Sequence, residues 1–242
     1  MAASPRTPRR ILVIDVGGTH VKIRLDARGP IHKFVSGARM TPRAMIGQLR
    51  ELTQHFTYDA LSIGYPGVVW RGRIAAEPHN LGGGWVGFDF ARAFGKPVRI
   101  VNDAAMQAIG SYTGGCMLFL GLGTGLGVTL ILDGAVEPTE LGHMPYKHGH
   151  TYEDYLGERG RKHRGNRKWR ESVNEIVAHL KSALEVDCVV LGGGNAQRLK
   201  SLPRGVRLGD NRDAFLGGVR LWQQRGPRLQ IPGIAERPGS AH

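Results

Sequence analysis

The residues best suited to chemistry fall into two glycine turns and one carboxylate between them. Asp15-Val16-Gly17-Gly18-Thr19-His20-Val21-Lys22 follows the apolar run 11–14. Gly121-Leu122-Gly123-Thr124-Gly125-Leu126-Gly127 stands between the apolar runs 116–120 and 128–132. Each reads as strand, tight turn, strand. Glycine lets backbone N–H groups approach an anion closely, and threonine adds a hydroxyl donor. Two such turns facing one another would hold a chain of phosphates from both sides. Between them in sequence, Val98-Arg99-Ile100-Val101-Asn102 is a short apolar strand that leads into Asp103. A phosphate clamp with one placed base is the minimal equipment for phosphoryl transfer.

Other phosphate motifs are excluded or discounted. No G-x-x-x-x-G-K-[ST] occurs, so the chain is not a P-loop enzyme. Gly82-Gly83-Gly84-Trp85-Val86-Gly87 fits G-x-G-x-x-G formally, but it follows Pro78-His79-Asn80 rather than a strand and reads as an accident within a loop.

The chain of 242 residues is long for one simple domain and suits two compact lobes. Its 41% hydrophobic content supports a real core, and 36 glycines point to many turns and close backbone approaches. The net charge is +13. Arg6, Arg9 and Arg10 at one end, and Arg225, Arg228 and Arg237 against Glu236 at the other, account for only part of that excess. The body is therefore basic too, which favours a polyanionic partner, although solubility alone also explains such a charge. Cys116 and Cys188 lie in apolar runs without metal spacing, so they read as thiols of a reducing interior rather than a disulfide. The run 11–14 is too short for a signal peptide and Asp15 interrupts it. The uncharged stretch 116–132 is divided by its glycines into two strands instead of one membrane span. A cytoplasmic protein is expected.

Several elements must position these residues. Strand signals cover 11–16, 20–26 and 31–36 as a meander. A helix starts with Thr41 as N-cap and Pro42 in its first turn, with Met45, Ile46, Leu49 and Leu52 on its apolar face. A buried strand over 60–64 ends at Tyr65-Pro66-Gly67, a short helix covers 88–94, and another strand covers 98–102. These describe a mixed α/β lobe. A second lobe opens near 114 with the hairpin around the second turn. It continues with a helix over 169–184, whose Val173, Ile176, Val177, Leu180 and Leu184 share a face. A strand over 187–191 then runs into Gly192-Gly193-Gly194-Asn195, and a last helix covers 213–222. Residues 1–10 and 224–242 read as flexible tails. The repeated strand–turn–strand device suggests a duplication.

Taken in order, Asp15-Val16-Gly17-Gly18-Thr19, Gly64-Tyr65-Pro66-Gly67, Asn102-Asp103-Ala104, Gly123-Thr124-Gly125, Glu140-Leu141-Gly142-His143 and Gly192-Gly193-Gly194 resemble the ROK sugar kinases (repressor, open reading frame, kinase). These belong to the actin/hexokinase/Hsp70 superfamily. The resemblance covers roughly residues 11 to 222. Pro138-Thr139-Glu140-Leu141-Gly142-His143 with His148-Gly149-His150-Thr151-Tyr152-Glu153 is most similar to the polyphosphate glucokinases within that family. The resemblance implies a two-lobed actin-like/ribonuclease H-like ATPase fold with a mixed sheet in each lobe. The lobes would be 11–112 and 113–211, with the helix at 212–223 packing back on the first.

It also implies roles. Asp103 would be the general base that takes the proton from the attacking sugar hydroxyl, against the plainer reading of a helix N-cap. Asn80, Asn102, Glu140, His143 and Glu153 match positions that hold sugar hydroxyls, as does Asp103. Glu140 and His143, three apart, would share a face of a helical turn. Asp15 would orient Mg²⁺ through water, and Gly17, Gly18, Thr19 and Lys22 would line the donor phosphates. Gly123, Thr124 and Gly125 would grip them from the other lobe. Gly192, Gly193 and Gly194 would face the nucleotide or the far end of a longer donor, or simply form a strand-to-helix turn.

The sequence departs from the family in two places. No cysteine cluster accompanies His143, so the zinc site of many ROK kinases is expected to be missing. Ala105 stands where relatives often carry a polar residue. The segment with Arg159, Arg161, Lys162, Arg164, Arg167, Lys168 and Arg170 is unusually basic, and reads either as a solvated face or as a track for polyphosphate. The expected activity is phosphorylation of a hexose, glucose above others, by inorganic polyphosphate or ATP. An ATP-dependent kinase for fructose or an amino sugar, and a non-catalytic sugar sensor, stay open as alternatives. Only ten residues precede Ile11, so a DNA-binding domain of the regulator type is not expected; no membrane partner is expected, and the family is often dimeric.

Overall fold

The computed structural model describes residues 10–210, 212–223 and 227–234, and divides into two units. One comprises the described residues through Asp103 together with those from Gly218 onward, and the other is Ala104–Gly217. Each unit is built on a five-stranded mixed sheet, and the two sheets share one strand order.

In the first unit, β1 (Ile11–Val16), β2 (His20–Leu25) and β3 (His32–Val35) form the antiparallel meander read from the sequence. β4 (Ala60–Tyr65) lies parallel to β1 on its other side, and β7 (Val98–Asn102) lies parallel to β4, giving the order β3-β2-β1-β4-β7. The central strands β1 and β4 are buried along their whole length, which is why they read as continuous apolar runs rather than alternating ones. A small hairpin, β5 (Val69–Trp70) with β6 (Arg73–Ile74), follows β4. Helix α1 (Pro42–Thr53) starts as expected, with the Thr41 hydroxyl accepting from the Ala44 N–H and Pro42 in the first turn. Its inward face is Met45, Ile46, Leu49 and Thr53. Leu52 instead points outward at 39% exposure, so the predicted apolar face was wrong by that one residue. Thr53 can occupy the buried place because its hydroxyl donates to the Leu49 carbonyl at 2.7 Å. Helix α2 is Phe90–Phe94, capped by Asp89.

The Gly82–Gly84 run is indeed a loop. Its role is to seat Trp85, which is fully buried, and both its ends are tied. The Glu77 carboxylate accepts from the Trp85 and Val86 N–H groups at 3.0 to 3.1 Å, and the Trp85 indole N–H donates to the Gly82 carbonyl at 2.7 Å.

In the second unit, β8 (Cys116–Leu122), β9 (Leu126–Leu132) and β10 (Ala135–Thr139) form the antiparallel meander. β11 (Cys188–Gly192) lies parallel to β8 and β12 (Val206–Leu208) parallel to β11, in the order β10-β9-β8-β11-β12. The uncharged stretch 116–132 is thus two strands, and no described helix is long and apolar enough to cross a membrane. Both cysteines are free, at the first residues of β8 and β11, and are partly rather than fully buried. After α4 (Tyr152–Leu156), α5 runs over Glu158–Leu184, well before the predicted start at 169. Its charged first part carries no apolar periodicity. Gly165 breaks it with φ 74° and ψ 159°, so only the part beyond the kink shows the expected buried face of Val173, Ile176, Val177 and Leu180.

The unit boundaries fall at Asp103/Ala104 and at Gly217/Gly218 rather than at 112 and 211. The cause is α3 (Asp103–Ser111), which packs backbone-to-backbone on the last helix, α6 (Asp213–Arg220). A Cβ on Gly110 would strike the Asp213 carbonyl, and one on Gly217 the Met106 carbonyl. The first half of α6 therefore goes with α3. From Gly218 onward the chain belongs to the first unit: Gly218 lies on Val13 and accepts from the Ser62 hydroxyl at 2.6 Å, and Trp222 donates to Ser62 at 3.0 Å. Of the two expected tails, 1–9, 224–226 and 235–242 lie outside the described residues. The piece 227–234 is described, and its Gly233 sits against the Arg71 backbone.

Candidate active site

Each unit presents one glycine turn after the first strand of its sheet, and each turn is braced through its carbonyls. In the first, Gly17 N–H donates to the His20 carbonyl at 3.0 Å and closes the turn. The Gly17 carbonyl accepts from the Ser36 hydroxyl at 2.6 Å, and the Thr19 carbonyl from the Ser36 N–H at 3.0 Å. In the second, the Glu158 N–H donates to the carbonyls of Gly123 and Thr124 at 3.0 and 3.2 Å. Asn195 adds its N–H to the Leu122 carbonyl at 3.0 Å and its amide to Gly123 at 3.3 Å. With the carbonyls turned inward, a turn offers N–H groups outward. Thr19 and Thr124, at the tips, are both exposed.

Asp15, at the end of β1, is buried, and loss of hydration raises its carboxyl above the ordinary range. The Lys22 ammonium, 3.4 Å away on the paired strand, offsets part of that cost. Asn80 lies directly over Gly18: a Cβ there would come 3.2 Å from the Asn80 Cβ, so only glycine admits this approach comfortably. Asn102 ends β7 and donates to the Gly67 carbonyl at 3.1 Å, which ties the Tyr65-Pro66-Gly67 turn to the strand before Asp103. Asp103 is the first residue of α3 and is half-buried.

On the second unit, Glu140 and His143 flank one short 3₁₀ turn, Leu141–His143, with Nδ1 of His143 3.5 Å from the Glu140 carboxylate. Both are well exposed. Glu153, in α4, is joined to the second glycine turn. Its Oε2 accepts from the Leu126 N–H at 2.9 Å and would lie 2.5 Å from a Cβ on Gly125. The triple glycine divides in role. A Cβ on Gly192 would enter the Phe119 ring, and one on Gly193, whose φ is 81°, would meet the Leu122 carbonyl. Those two are required by packing and the turn, whereas Gly194 faces open space.

Three residues that brace the turns went unnoticed in the sequence. Ser36 and Glu158 act through contacts far away in the chain, which no spacing announces. Asn195 follows the triple glycine directly, and that adjacency is the signal that was there to read.

The sequence model of the ROK family matches residues 11–161, more than half of the chain. The chain belongs to the ROK family. Among its relatives, this ROK protein is 27% identical over 213 residues to the polyphosphate glucokinase of Mycobacterium tuberculosis, covering 79% of this chain and 80% of that one. It is 26% identical over 206 residues to the polyphosphate glucokinase of Mycobacterium leprae, covering 76% of this chain but only 63% of that protein's length. Its fold is that of the inorganic polyphosphate/ATP-glucomannokinase of Arthrobacter sp. strain KM, with a TM-score of 0.75 at 20% identity over 87% of this chain and 96% of the other. The two-lobed actin-like architecture expected from the motifs is thus the observed one.

Proposed function

We propose that this protein is a sugar kinase that transfers the terminal phosphoryl group of inorganic polyphosphate or ATP to a hexose, with glucose as acceptor and glucose 6-phosphate as product. The observation that carries this reading is the second glycine turn. Its carbonyls are held by Glu158 and Asn195, and among the described residues the N–H groups of Thr124 and Gly125 take no part in that bracing. Donors fixed before a ligand arrives stabilise developing charge without reorganisation. The names of the two mycobacterial relatives and of the Arthrobacter enzyme support the same reading.

In this reading an Asp103 carboxylate oxygen takes the proton of the sugar hydroxyl while the hydroxyl oxygen attacks the terminal phosphorus. The bond from that phosphorus to its bridging oxygen breaks, and the donor leaves one phosphate shorter. The start of α3 suits a carboxylate, because a helix N-terminus favours negative charge. Asn80, Asn102, Glu140 and His143 are assigned to the sugar hydroxyls. Glu153 joins them through Oε1, since Oε2 is engaged with Leu126. Gly17, Gly18, Thr19 and Lys22, with Gly123, Thr124 and Gly125, are assigned to the donor phosphates, and Gly194 is the member of the triple glycine with room for the donor's far end.

Mg²⁺ bound with the donor supplies charge neutralisation on the phosphate oxygens. Asp15 fits an outer role toward it, being a buried carboxylate only partly compensated by Lys22. Among the described residues no three His, Cys, Asp or Glu side chains are grouped to ligate a metal directly. Mg²⁺ commonly keeps several waters and binds through one or two carboxylates plus substrate phosphates. We assign the protein to the cytoplasm, in line with its two free thiols, with a homodimer as the assembly to look for and no DNA or membrane partner.

The test is phosphorylation of a hexose panel with Mg²⁺, using ATP and long-chain polyphosphate in parallel. Turnover of glucose with at least one donor is expected, and none with any hexose overturns the reading. Asp103→Asn should keep glucose binding and lose about 10²–10⁴-fold in kcat. Near-normal turnover would remove Asp103 from the reaction.

A further inference from the structure

Beside the second glycine turn lies a cavity of about 870 Å³, lined by Thr124 from the turn and by the first helical turns of α5. Its cations are Arg159, Lys162 and Arg164, and the imidazoles of His163 and of His150 from the preceding loop stand beside them. Arg159, Lys162 and His163 are exposed and stand at i, i+3 and i+4, on one face of the helix. The guanidinium of Arg164 lies 3.4 Å above the Tyr155 ring, and its Nε is buried without a hydrogen-bond partner.

Two carboxylates also line the cavity, but both are already engaged. Asp154 accepts from the Thr151 N–H and hydroxyl at 2.9 and 3.0 Å as half of a capping box. Glu158 is gripped by Arg161 through two bonds of 2.8 and 3.0 Å, and Lys162 lies 3.3 Å from it. The Arg161 guanidinium, followed by the Asn195 amide, holds the Glu158 carboxyl down at about 2. Both carboxylates keep their charge, but Arg159, Arg161, Lys162 and Arg164 outnumber them, so the field about the cavity is positive. No Phe, Tyr or Trp ring and no aliphatic residue lines it. The Glu158 N–H bonds to Gly123 and Thr124 fix this basic segment to the glycine turn itself. The kink at Gly165 then separates it from Arg167, Lys168 and Arg170, so only the first part of the basic run reaches the cavity.

We propose that this cavity binds internal phosphates of an inorganic polyphosphate chain whose reactive end lies at the Thr124 turn. The proposal rests on the kinase reading for the direction of the chain, though not for binding itself. A repeating anion matches several cations in a row. Each contact displaces counterions, so affinity for the chain must fall steeply with salt.

The test compares wild type with Arg159→Gln/Lys162→Gln and with Arg167→Gln/Lys168→Gln, which removes the same charge from the same helix beyond the kink. Equilibrium binding of end-labelled long-chain polyphosphate is measured across a salt series, with thermal melts to establish folding. The expected result is a Kd about tenfold weaker or more for the first variant, with a shallower salt dependence, and a change within about twofold for the second. In turnover, the KM for long-chain polyphosphate should rise by more than the KM for ATP in the first variant. Equal weakening in both variants, or wild-type binding by the first, overturns the cavity. Failure of wild type to bind long-chain polyphosphate also overturns it, and turnover with ATP alone would then leave the kinase reading standing. Polyphosphate binding that depends on Arg159 and Lys162, without turnover of any hexose, sinks the kinase reading and keeps the cavity.

Discussion

The two glycine turns sit at equivalent places in two sheets of the same strand order, yet they manage charge in opposite ways. The first keeps its acid inside the strand: Asp15 is buried in β1 and balanced across the hairpin by Lys22. The second has no charged residue in its hairpin between Cys116 and Leu132. Its acids arrive from outside, Glu153 on the Leu126 N–H and Glu158 through its own backbone. An acid inside the sheet is positioned rigidly but carries a cost in hydration. An acid delivered by a helix keeps its solvent and can be removed without opening the sheet. The first turn is built for placement, and the second can be altered around its edges.

Asp15→Asn probes the first arrangement and carries the largest effect expected at the two turns. Asp15 has its carboxyl raised by burial, so its contribution to stability is fully present below about pH 3.8, the unfolded value, and is lost as pH rises through the higher folded value. At neutral pH the wild type carries that cost in full. Asparagine does not titrate, and Lys22, with a side chain 44% exposed, keeps its water when the partner is neutralised. The variant should therefore melt higher than wild type at pH 7, with the gap closing toward pH 4. Activity should move the other way, falling about 10–100-fold as for a group that orients a metal through water. A lower melting temperature at pH 7 would show that the Lys22 pair outweighs burial.

Glu153 allows the contrasting test on the second turn. Gly125→Ala would push a methyl to 2.5 Å from Glu153 Oε2, and the flexible carboxylate would yield at the expense of its bond to Leu126. A loss of about 1 kcal/mol is expected, and a similar loss for Glu153→Ala. The double variant should lose less than the sum, because both changes remove the same contact. Strict additivity in urea melts would mean that Glu153 does not brace the turn.

Much of this was legible in the sequence where the physics is local. The turns, the Thr41–Pro42 helix start and the central strands are set by residues that are neighbours in the chain. The whole set of family motifs lay in order, which is why the fold and the Asp103 position could be expected together. What escaped was non-local or lacked periodicity. The first turns of α5 hold charges rather than an apolar stripe, β12 is three residues long, and α3 joins the second unit because Gly110 and Gly217 permit backbone contact with distant partners. The contact of Glu153 with the second turn escaped for the same reason. The family resemblance assigns Glu153 to the sugar, while its bond to Leu126 depends on how α4 docks.

Gly123→Ala should have the smallest effect on stability and the most pointed effect on function. No atom lies within 4 Å of a Cβ built at Gly123, and its φ lies outside the left-handed region. The methyl therefore meets open space, and the change in unfolding free energy should stay within about 0.5 kcal/mol. If that space is where the donor phosphates lie, the same methyl stands in their way, and the KM for the donor should rise about tenfold or more with glucose affinity intact. Its neighbour Gly125 behaves in the reverse sense, with a structural cost that precedes any functional one. An unchanged donor KM in Gly123→Ala, beside a destabilised Gly125→Ala, would mean that the second turn's glycines serve the collar of Glu153 and Glu158 rather than a phosphate.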